Sequence, residues 1–274
     1  MISCDVVPVV TLLTDFGTSD PYVGVMKGVI LTICPSARIV DITHHVPPQD
    51  IAAAALALSA AYRYFPLNTI HVAVVDPGVG TGRRIIMAET PNGTFLAPDN
   101  GILSEILDEA PADCLLSVEN SDIFLYPVSP TFHGRDIFAP AAAHLACGVD
   151  PKLLGSEVEP HTLVRSELFP KPQIIAGGAI EGAVVTIDHF GNLITNIRET
   201  ELAGMIGSVQ VEVLTGELRI AGISRTYQAV PAGAPLALIG STGRLEIAVN
   251  QGDARHLLDT ARGDRVIVRR LAGG

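Results

Sequence analysis

The chain has 274 residues, of which 48% are apolar and 17% charged, and carries a net charge of −11 at pH 7. That length suits one large domain or two ordinary ones, and so much apolar side chain builds a core without disulfide staples. Lys and Arg do not gather into runs, which argues against a nucleic-acid or anionic-membrane surface, because counterion release needs clustered cations.

The first apolar stretch has no basic region before it and soon meets Asp15, so it reads as a strand and not as a signal peptide. No window approaches the roughly 18 apolar residues of a membrane span, and a cytoplasmic location is expected. Cys4, Cys34, Cys114 and Cys147 are widely spaced with no CxxC pair. They are expected to be small buried hydrophobes in a reducing compartment.

Along the first half, strand and helix signals alternate. Val6–Thr14 is a continuous apolar run, as in a strand buried on both faces. Ser19 or Asp20 is placed to cap a helix with Pro21 at its first position; Val23, Met26 and Ile30 give its inward face, and Pro35 stops it. Arg38–Ile42 reads as a second strand, Asp50 as the cap of an alanine-rich helix over Ile51–Phe65, and Thr69–Val75 as a third strand. The segment DPGVG that follows must turn. Arg84–Glu89 and Gly93–Ala97 form an expected hairpin around Pro91-Asn92-Gly93, and short helices are expected over Ile102–Glu109 and Arg135–Ala146. This order implies an α/β domain with a mostly parallel central sheet.

The character changes at Phe169-Pro170-Lys171-Pro172. The expected division is an N-terminal α/β domain over 1–169, a linker over 170–177 and a C-terminal domain over 178–274. Beyond the linker, β segments at Gly182–Ile187, Ser208–Leu214, Leu236–Ile239, Leu245–Val249 and Arg265–Val268 are separated by glycine-rich turns, as in a small antiparallel barrel or sandwich.

Asp15 and Asp76 each directly follow a buried apolar strand, where ligands of open parallel sheets bind; each is also well placed to serve its own turn. Gly78-Val79-Gly80-Thr81-Gly82 leads to Arg83 and Arg84 without the Lys-Ser/Thr of a phosphate loop. What it does supply is a cation seven residues after a carboxylate, which reads equally as a plain salt bridge. In PTFHGRDIFAPAAAHL, His133 sits in a loop before an apolar helix, and Asp136 is expected to serve as that helix's cap or first-turn acid. His44-His45 with Asp50 lacks metal-ligand spacing, and no GxSxG elbow is present. In the second half, Asp188, Asn192 and Asn196 cluster around a strand broken at Phe190-Gly191, and Ser241, Thr242, Arg244, Glu246 and Asn250 surround another turn. They suit ordinary turn chemistry, or the directed polar contacts that a purine edge and an amino-acid zwitterion need.

The segments LLTDFGTSDPYVGVMKGVI, VDITHHVPPQDI, HVAVVDPGVGTGRR, LAPDNGIL, PTFHGRDIFAPAAAHLA, IDHFGNLITNI and STGRLEIA together resemble the S-adenosylmethionine hydrolases that use hydroxide, relatives of the enzymes that attack the same substrate with halide. They run in order from residue 11 to about 250. The resemblance implies an N-terminal α/β domain, a C-terminal antiparallel β-barrel-like domain and a homotrimer. It places the substrate between the N-terminal domain of one subunit and the C-terminal domain of its neighbour. It implies attack by water or hydroxide at the ribose 5′ carbon of S-adenosyl-L-methionine, giving adenosine and L-methionine, with no cofactor and no metal.

By matching segment, Asp76, Arg83 and His133 form the catalytic set. Asp15 holds the ribose hydroxyls, Asp188 and Ser241 the methionine amino and carboxylate ends, and Asn192 the adenine. Phe190 and Tyr227 are candidates for adenine contacts, and Glu246 completes the substrate-binding group. The halogenating relatives carry Tyr in place of the Asp in the fluorinating case, Trp where Gln49 stands, and a longer loop after the first hairpin region. Each departure favours water. Thr242 stands where the fluorinating relative has Arg, which puts the carboxylate contact in doubt. Two rivals remain: a module that binds S-adenosylmethionine or a nucleoside with incidental turnover, and a halide-using 5′-halo-adenosine synthase.

Overall fold

The computed structural model describes residues 7–165, 169–203 and 211–271. Cys4 and Val6 lie outside the described residues, as do residues 208–210 of the strand expected from Ser208. The chain divides into two compact units, Met1–Leu168 and Phe169–Gly274.

In the first unit, β1 (Val9–Thr14) leads into α1 (Tyr22–Ile33), β2 (Arg38–Thr43) and α2 (Ile51–Ala61). After these come β3 (Ile70–Val74), the hairpin of β4 (Ile85–Thr90) and β5 (Gly93–Pro98), and then α3 (Ser104–Glu109). The unit closes with β6 (Cys114–Val118), α4 (Ala139–Ala146) and β7 (Gly155–Glu157). The sheet order is β2-β1-β3-β5-β4-β6-β7, with β2, β1, β3 and β5 parallel and the hairpin returning antiparallel.

Alternate residues feed opposite faces of this sheet. Leu12, Val72, Val74, Met87 and Leu96 pack with Met26 and Ile30 of α1 and Ala141, Ala142 and Ala143 of α4. Leu13, Ala73, Val75, Ile86 and Phe95 pack on the α2 side with Ala54, Ala55, Leu58 and Ile106. Because both faces are covered, the strands read as unbroken apolar runs.

Several local expectations shift. Asp50 caps α2, its Oδ1 accepting from Ala53 N–H at 2.9 Å. No side chain caps α1, and Pro21 stands at its N-cap rather than inside the helix. Helix α2 stops at Ala61 and tightens into a 3₁₀ turn over Tyr62–Tyr64, so the expected span to Phe65 is too long. The helix expected from Arg135 opens with a π turn over Gly134–Phe138. Cys34 is buried, but Cys114 is only half-buried and Cys147, at the surface end of α4, is exposed, so burial holds for one of these three thiols.

The second unit holds β8 (Gln173–Ile175), β9 (Ala179–Ile187), β10 (Leu193–Arg198), α5 (Glu199–Leu202), β11 (Val211–Thr215) and β12 (Leu218–Ala221). It continues with β13 (Pro235–Ile239), β14 (Arg244–Val249), α6 (Ala254–Leu258) and β15 (Arg265–Arg270). All its ladders are antiparallel, in the order β12-β11-β15-β9-β10-β14-β13 with β8 on β9, and β12 and β13 lie near one another, so the sheet curls into a nearly closed barrel. Val184, Leu193, Ile197, Val213, Ile247 and Val268 fill its interior. Among the described residues, no helix is long and apolar enough to cross a membrane.

Candidate active site

Strands β1 and β3 are parallel neighbours with Thr14 opposite Val74. From β1 the chain passes to β2 on one side and later to β3 on the other, so the crevice beyond their carboxyl ends is a topological switch point. Asp15 directly follows β1, and Asp76 follows β3 by one residue. A cavity of about 260 Å³ opens there, lined by residues that include Asp15, Gln49, Asp76, Thr131, Phe132 and His133.

The glycine-rich segment after Asp76 is a pair of tight turns, not a phosphate cradle. Val79 N–H donates to the Asp76 carbonyl and Thr81 N–H to the Gly78 carbonyl, both at 3.2 Å. Gly80 has φ +76°, and a Cβ there would collide with the Pro130 carbonyl oxygen, so only glycine lets this turn lie against the loop that carries His133. The turns bring Arg83 back onto Asp76. Arg83 Nε donates to both carboxylate oxygens at 2.9 Å, and Nη2 donates to Oδ2 as well. Both side chains are largely buried, at 12% and 5% exposed, where a charge-assisted fork is stronger than at the surface. Arg84 points elsewhere, with Nε 2.9 Å from Asp99 Oδ2.

Arg83 Nη2 also lies 2.9 Å from His133 Nδ1. A guanidinium only donates, so Nδ1 must accept, and the ring is neutral with its proton on Nε2. Burial first, and then the Arg83 charge, push the His133 imidazolium below the usual histidine range; Asp76 and Asp136 oppose this in part. Arg83 thus stands behind the cavity, joining two residues that line it.

Asp136 lies in the first turn of the helical segment that opens at Gly134, as one of its two expected roles has it, but no side chain caps that segment. Asp136 is fully buried and accepts from Ser129 N–H at 2.8 Å and from Arg135 Nε at 2.6 Å, while its carbonyl takes Leu125 N–H at 2.8 Å. Because Ser129 and Leu125 lie in the preceding loop, Asp136 turns inward and pins the segment that presents Thr131, Phe132 and His133. Phe16, Tyr22 and Phe132 form an edge-to-face cluster with centroids 5.2–6.0 Å apart. Phe132 and Thr131 had no distinguishing signal in the sequence. Gln49, noted there only for contrast with relatives, has φ 64° and donates its N–H to Asp15 Oδ2 at 2.8 Å.

The second-unit candidates gather around two turns. Asp188 Oδ1 accepts from the N–H groups of Phe190 and Asn192 at 2.8 and 2.9 Å, and Oδ2 accepts from Asn192 Nδ2 at 2.8 Å. This is Asx-type turn chemistry, and it leaves Phe190 72% exposed. Glu246, buried in β14, accepts from the Tyr227 hydroxyl at 2.6 Å. Burial raises the Glu246 carboxyl, with the Asp188 charge adding to it and the Tyr227 hydrogen bond opposing it. Burial likewise pushes the Tyr227 phenol above its usual range. A Cβ at Gly240 would meet Glu246 Oε2 at 2.5 Å, so the carboxylate occupies the room that glycine leaves.

Ser241 and Thr242 are exposed in the turn between β13 and β14. Asn196 and Asn250 serve backbone instead, Asn196 Oδ1 accepting from Ala183 N–H at 2.8 Å and Asn250 Nδ2 donating to the Val230 carbonyl at 2.7 Å. Among the described residues no group of three His, Cys, Asp or Glu is placed to hold a metal ion. His44 is buried with Nδ1 2.9 Å from Thr14 Oγ1, and His45 is exposed.

The sequence matches the family model described as the SAM hydroxide adenosyltransferase N-terminal domain over residues 10–155, and the corresponding C-terminal domain over 182–267. It is 43% identical over 261 residues to the (R)-S-adenosyl-L-methionine hydrolase of Thermus thermophilus, covering 93% of this chain and 96% of that protein. The hydrolase of the same name from Salinispora arenicola is 39% identical, with 95% and 97% covered. A fluorinase from an Actinoplanes species is 31% identical, with 89% and 91% covered. Among solved structures, an uncharacterized conserved protein from Thermotoga maritima matches with a TM-score of 0.88 at 37% identity, covering 95% of this chain and all of that one.

Proposed function

The chain belongs to the SAM hydroxide adenosyltransferase family, and from that premise we propose that it hydrolyses S-adenosyl-L-methionine to adenosine and L-methionine. The observation that carries the reading is the Asp76–Arg83–His133 chain of hydrogen bonds at the switch-point cavity. The names of the similar hydrolases specify the (R) form at sulfur, and that epimer is included as a substrate.

Chemically, the sulfonium is already a good leaving group. The oxygen nucleophile forms a bond to C5′ while the C5′–S electron pair returns to sulfur, which becomes a neutral thioether; the remaining water proton goes to solvent. What the reaction needs is an oriented, electron-rich oxygen in line with that bond. Such positioning is worth on the order of 7–11 kcal/mol. With Nδ1 engaged by Arg83, His133 has Nε2–H to offer and donates to the nucleophile rather than taking its proton. The nucleophile is then hydroxide, stabilised by that donor and by the positive charge behind it. Asp76 fixes the guanidinium and, with Asp15, supplies negative charge that favours the cationic substrate.

In the same reading, Asp15 holds the ribose hydroxyls and Asp188, Phe190, Asn192, Tyr227, Ser241 and Glu246 serve the methionine and adenine ends. The resemblance brings that second set from a neighbouring subunit of a homotrimer. Light scattering is expected to give three times the 28.8 kDa chain mass. The free thiols Cys34, Cys114 and Cys147 fit a reducing, cytoplasmic setting.

The test is incubation of the pure protein with each sulfonium epimer in chloride-free, ¹⁸O-enriched water, followed by chromatography with mass detection. Labelled adenosine with unlabelled methionine is expected. Bound substrate recovered unchanged would make the protein a binding module, and 5′-halo-adenosine formed on adding halide would make it a halogenating enzyme.

A further inference from the structure

Asp15 sits between two loops that are tied together at three points. Thr14, just before it, is fully buried, and its Oγ1 lies 2.9 Å from Nδ1 of His44, which is 4% exposed. The Gly17 N–H donates to the His44 carbonyl at 2.8 Å, and the Gln49 N–H donates to Asp15 Oδ2 at 2.8 Å. Thr14 Oγ1 additionally accepts from Phe16 N–H at 3.2 Å, and the same hydroxyl, with a second lone pair and its own proton, pairs with His44 Nδ1 in either tautomer of the ring.

Nε2 lies 3.0 Å from Asp41 Oδ1, and against the opposing effect of burial this contact helps hold the Asp41 carboxyl below its usual range. Asp41 is held in turn by Lys27 at 2.6 Å. The register explains how His44 arrives. Leu12 pairs with Asp41 but Leu13 with Thr43, a bulge that gives β2 an extra residue just before the loop. Bulges beside functional sites re-aim the side chains that follow, and here the residue re-aimed is His44.

We infer that His44, acting through Thr14 and the Gly17 N–H, is a positioning residue that sets the carboxylate of Asp15 for the ribose hydroxyls. The inference rests on the proposed role of Asp15. His44 touches no substrate; it makes the turn that carries Asp15 rigid on the side opposite the Gln49 contact. Loosening it leaves Asp15 charged and present but misaligned, and misaligned hydrogen bonds lose most of their selectivity before charge attraction fails.

The readout is ribose discrimination, which a merely structural role would not move. Binding of adenosine and of 2′-deoxyadenosine is measured by calorimetry for the full-length wild type, His44→Ala, Thr14→Val and Asp15→Asn, with melting curves alongside. A hydrogen bond to a charged group supports a preference for adenosine of more than tenfold in the wild type. Thr14→Val keeps the branched shape and removes only the hydroxyl, so it reports even if His44→Ala does not fold. Both variants are expected to bring the preference below about threefold and to raise KM for S-adenosylmethionine, and Thr14→Val is expected to add nothing further on top of Asp15→Asn. Wild-type discrimination in Asp15→Asn would overturn the ribose role of Asp15 and this inference with it. Discrimination lost in Asp15→Asn but intact in folded Thr14→Val and His44→Ala would overturn the positioning role alone.

Discussion

In the first unit, Asp76 and Arg83, seven residues apart, meet His133 from fifty residues further on, joined by charge-assisted hydrogen bonds with the Arg83 and Asp76 side chains largely buried. In the second, Asp188 is satisfied within its own turn by Phe190 and Asn192, while Phe190 and Ser241 face solvent. The first arrangement is prepaid electrostatics, of the kind that acts on a developing charge. The second is a set of directed polar groups and exposed rings, which suits recognition. The difference teaches where a substitution will be felt: in turnover for the first cluster, in affinity for the second.

The largest effect is expected from Arg83→Ala. On the proposed mechanism it removes the charge behind the nucleophile and frees the His133 tautomer, and kcat is expected to fall by at least about tenfold and up to the 10²–10⁴ typical of such groups. Asp76 is left buried and unpaired, which costs about 3–5 kcal/mol, so circular dichroism must confirm that the variant is folded. Arg83→Lys restores charge without the planar fork and is expected to rescue little. His133→Ala should fall by a similar order. Wild-type turnover in both folded alanine variants would remove the chemistry from this cluster.

Next in size is the pH dependence. If His133 donates to hydroxide, kcat/KM rises about tenfold per pH unit above neutrality, a hundredfold over two units, because the nucleophile's concentration follows pH. If His133 instead took the proton, the rate would level off once the imidazole is neutral, and its titration already lies below the usual histidine range. Loss of activity on the acid side is expected in both cases, since a protonated ring cannot accept from Arg83. Rates between pH 7 and 9 therefore decide the proton's route: a plateau there would make His133 a general base.

Much of the first cluster was legible because its positions follow from topology. An acid directly after a buried parallel strand lands at the switch point, and a glycine-rich turn returns an Arg to it. The resemblance of whole segments then supplied His133. What was not legible depends on tertiary contacts. Short β6 and the three-residue β7 and β8 have too few residues for any period to show. The π turn at Gly134 and the inward Asp136 are set by the loop at 125–133. The contact of His44 with Thr14 depends on a bulge that shifts β2 by one residue, and no spacing in the sequence announces it.

The two units are also expected to respond differently to acid. His71 on β3 is fully buried, stacked on Phe95 with Nδ1 2.9 Å from Thr11 Oγ1. Burial lowers its titration from 6.5 to about 4. The folded form therefore refuses a proton that the unfolded chain accepts. The stability is present above pH 6.5 and is lost progressively as the pH falls to about 4, amounting to about 3 kcal/mol at about 1.4 per unit. Denaturant unfolding at pH 7 and pH 4, compared with His71→Gln, isolates this share. Equal acid sensitivity in the two proteins would place the loss elsewhere.

The smallest expected effect tests the second cluster alone. Tyr227→Phe deletes the hydroxyl that donates to Glu246 at 2.6 Å and keeps the ring. The carboxyl, already raised by burial and by Asp188, loses the one influence that favours its charge and moves further up. Leaving such an acceptor without its donor costs about 1–3 kcal/mol, divided between folding and the shape of the substrate surface. KM is expected to rise about tenfold while kcat stays within about twofold, because the proposed mechanism puts neither residue at the breaking bond. Glu246→Gln, which keeps an acceptor for Tyr227 and removes the charge, separates the two contributions: a similar rise would assign the effect to charge, a smaller one to the lost hydrogen bond. A hundredfold fall in kcat at unchanged KM in either variant would mean that the second unit takes part in the chemical step, and the division of labour between the two clusters would not stand.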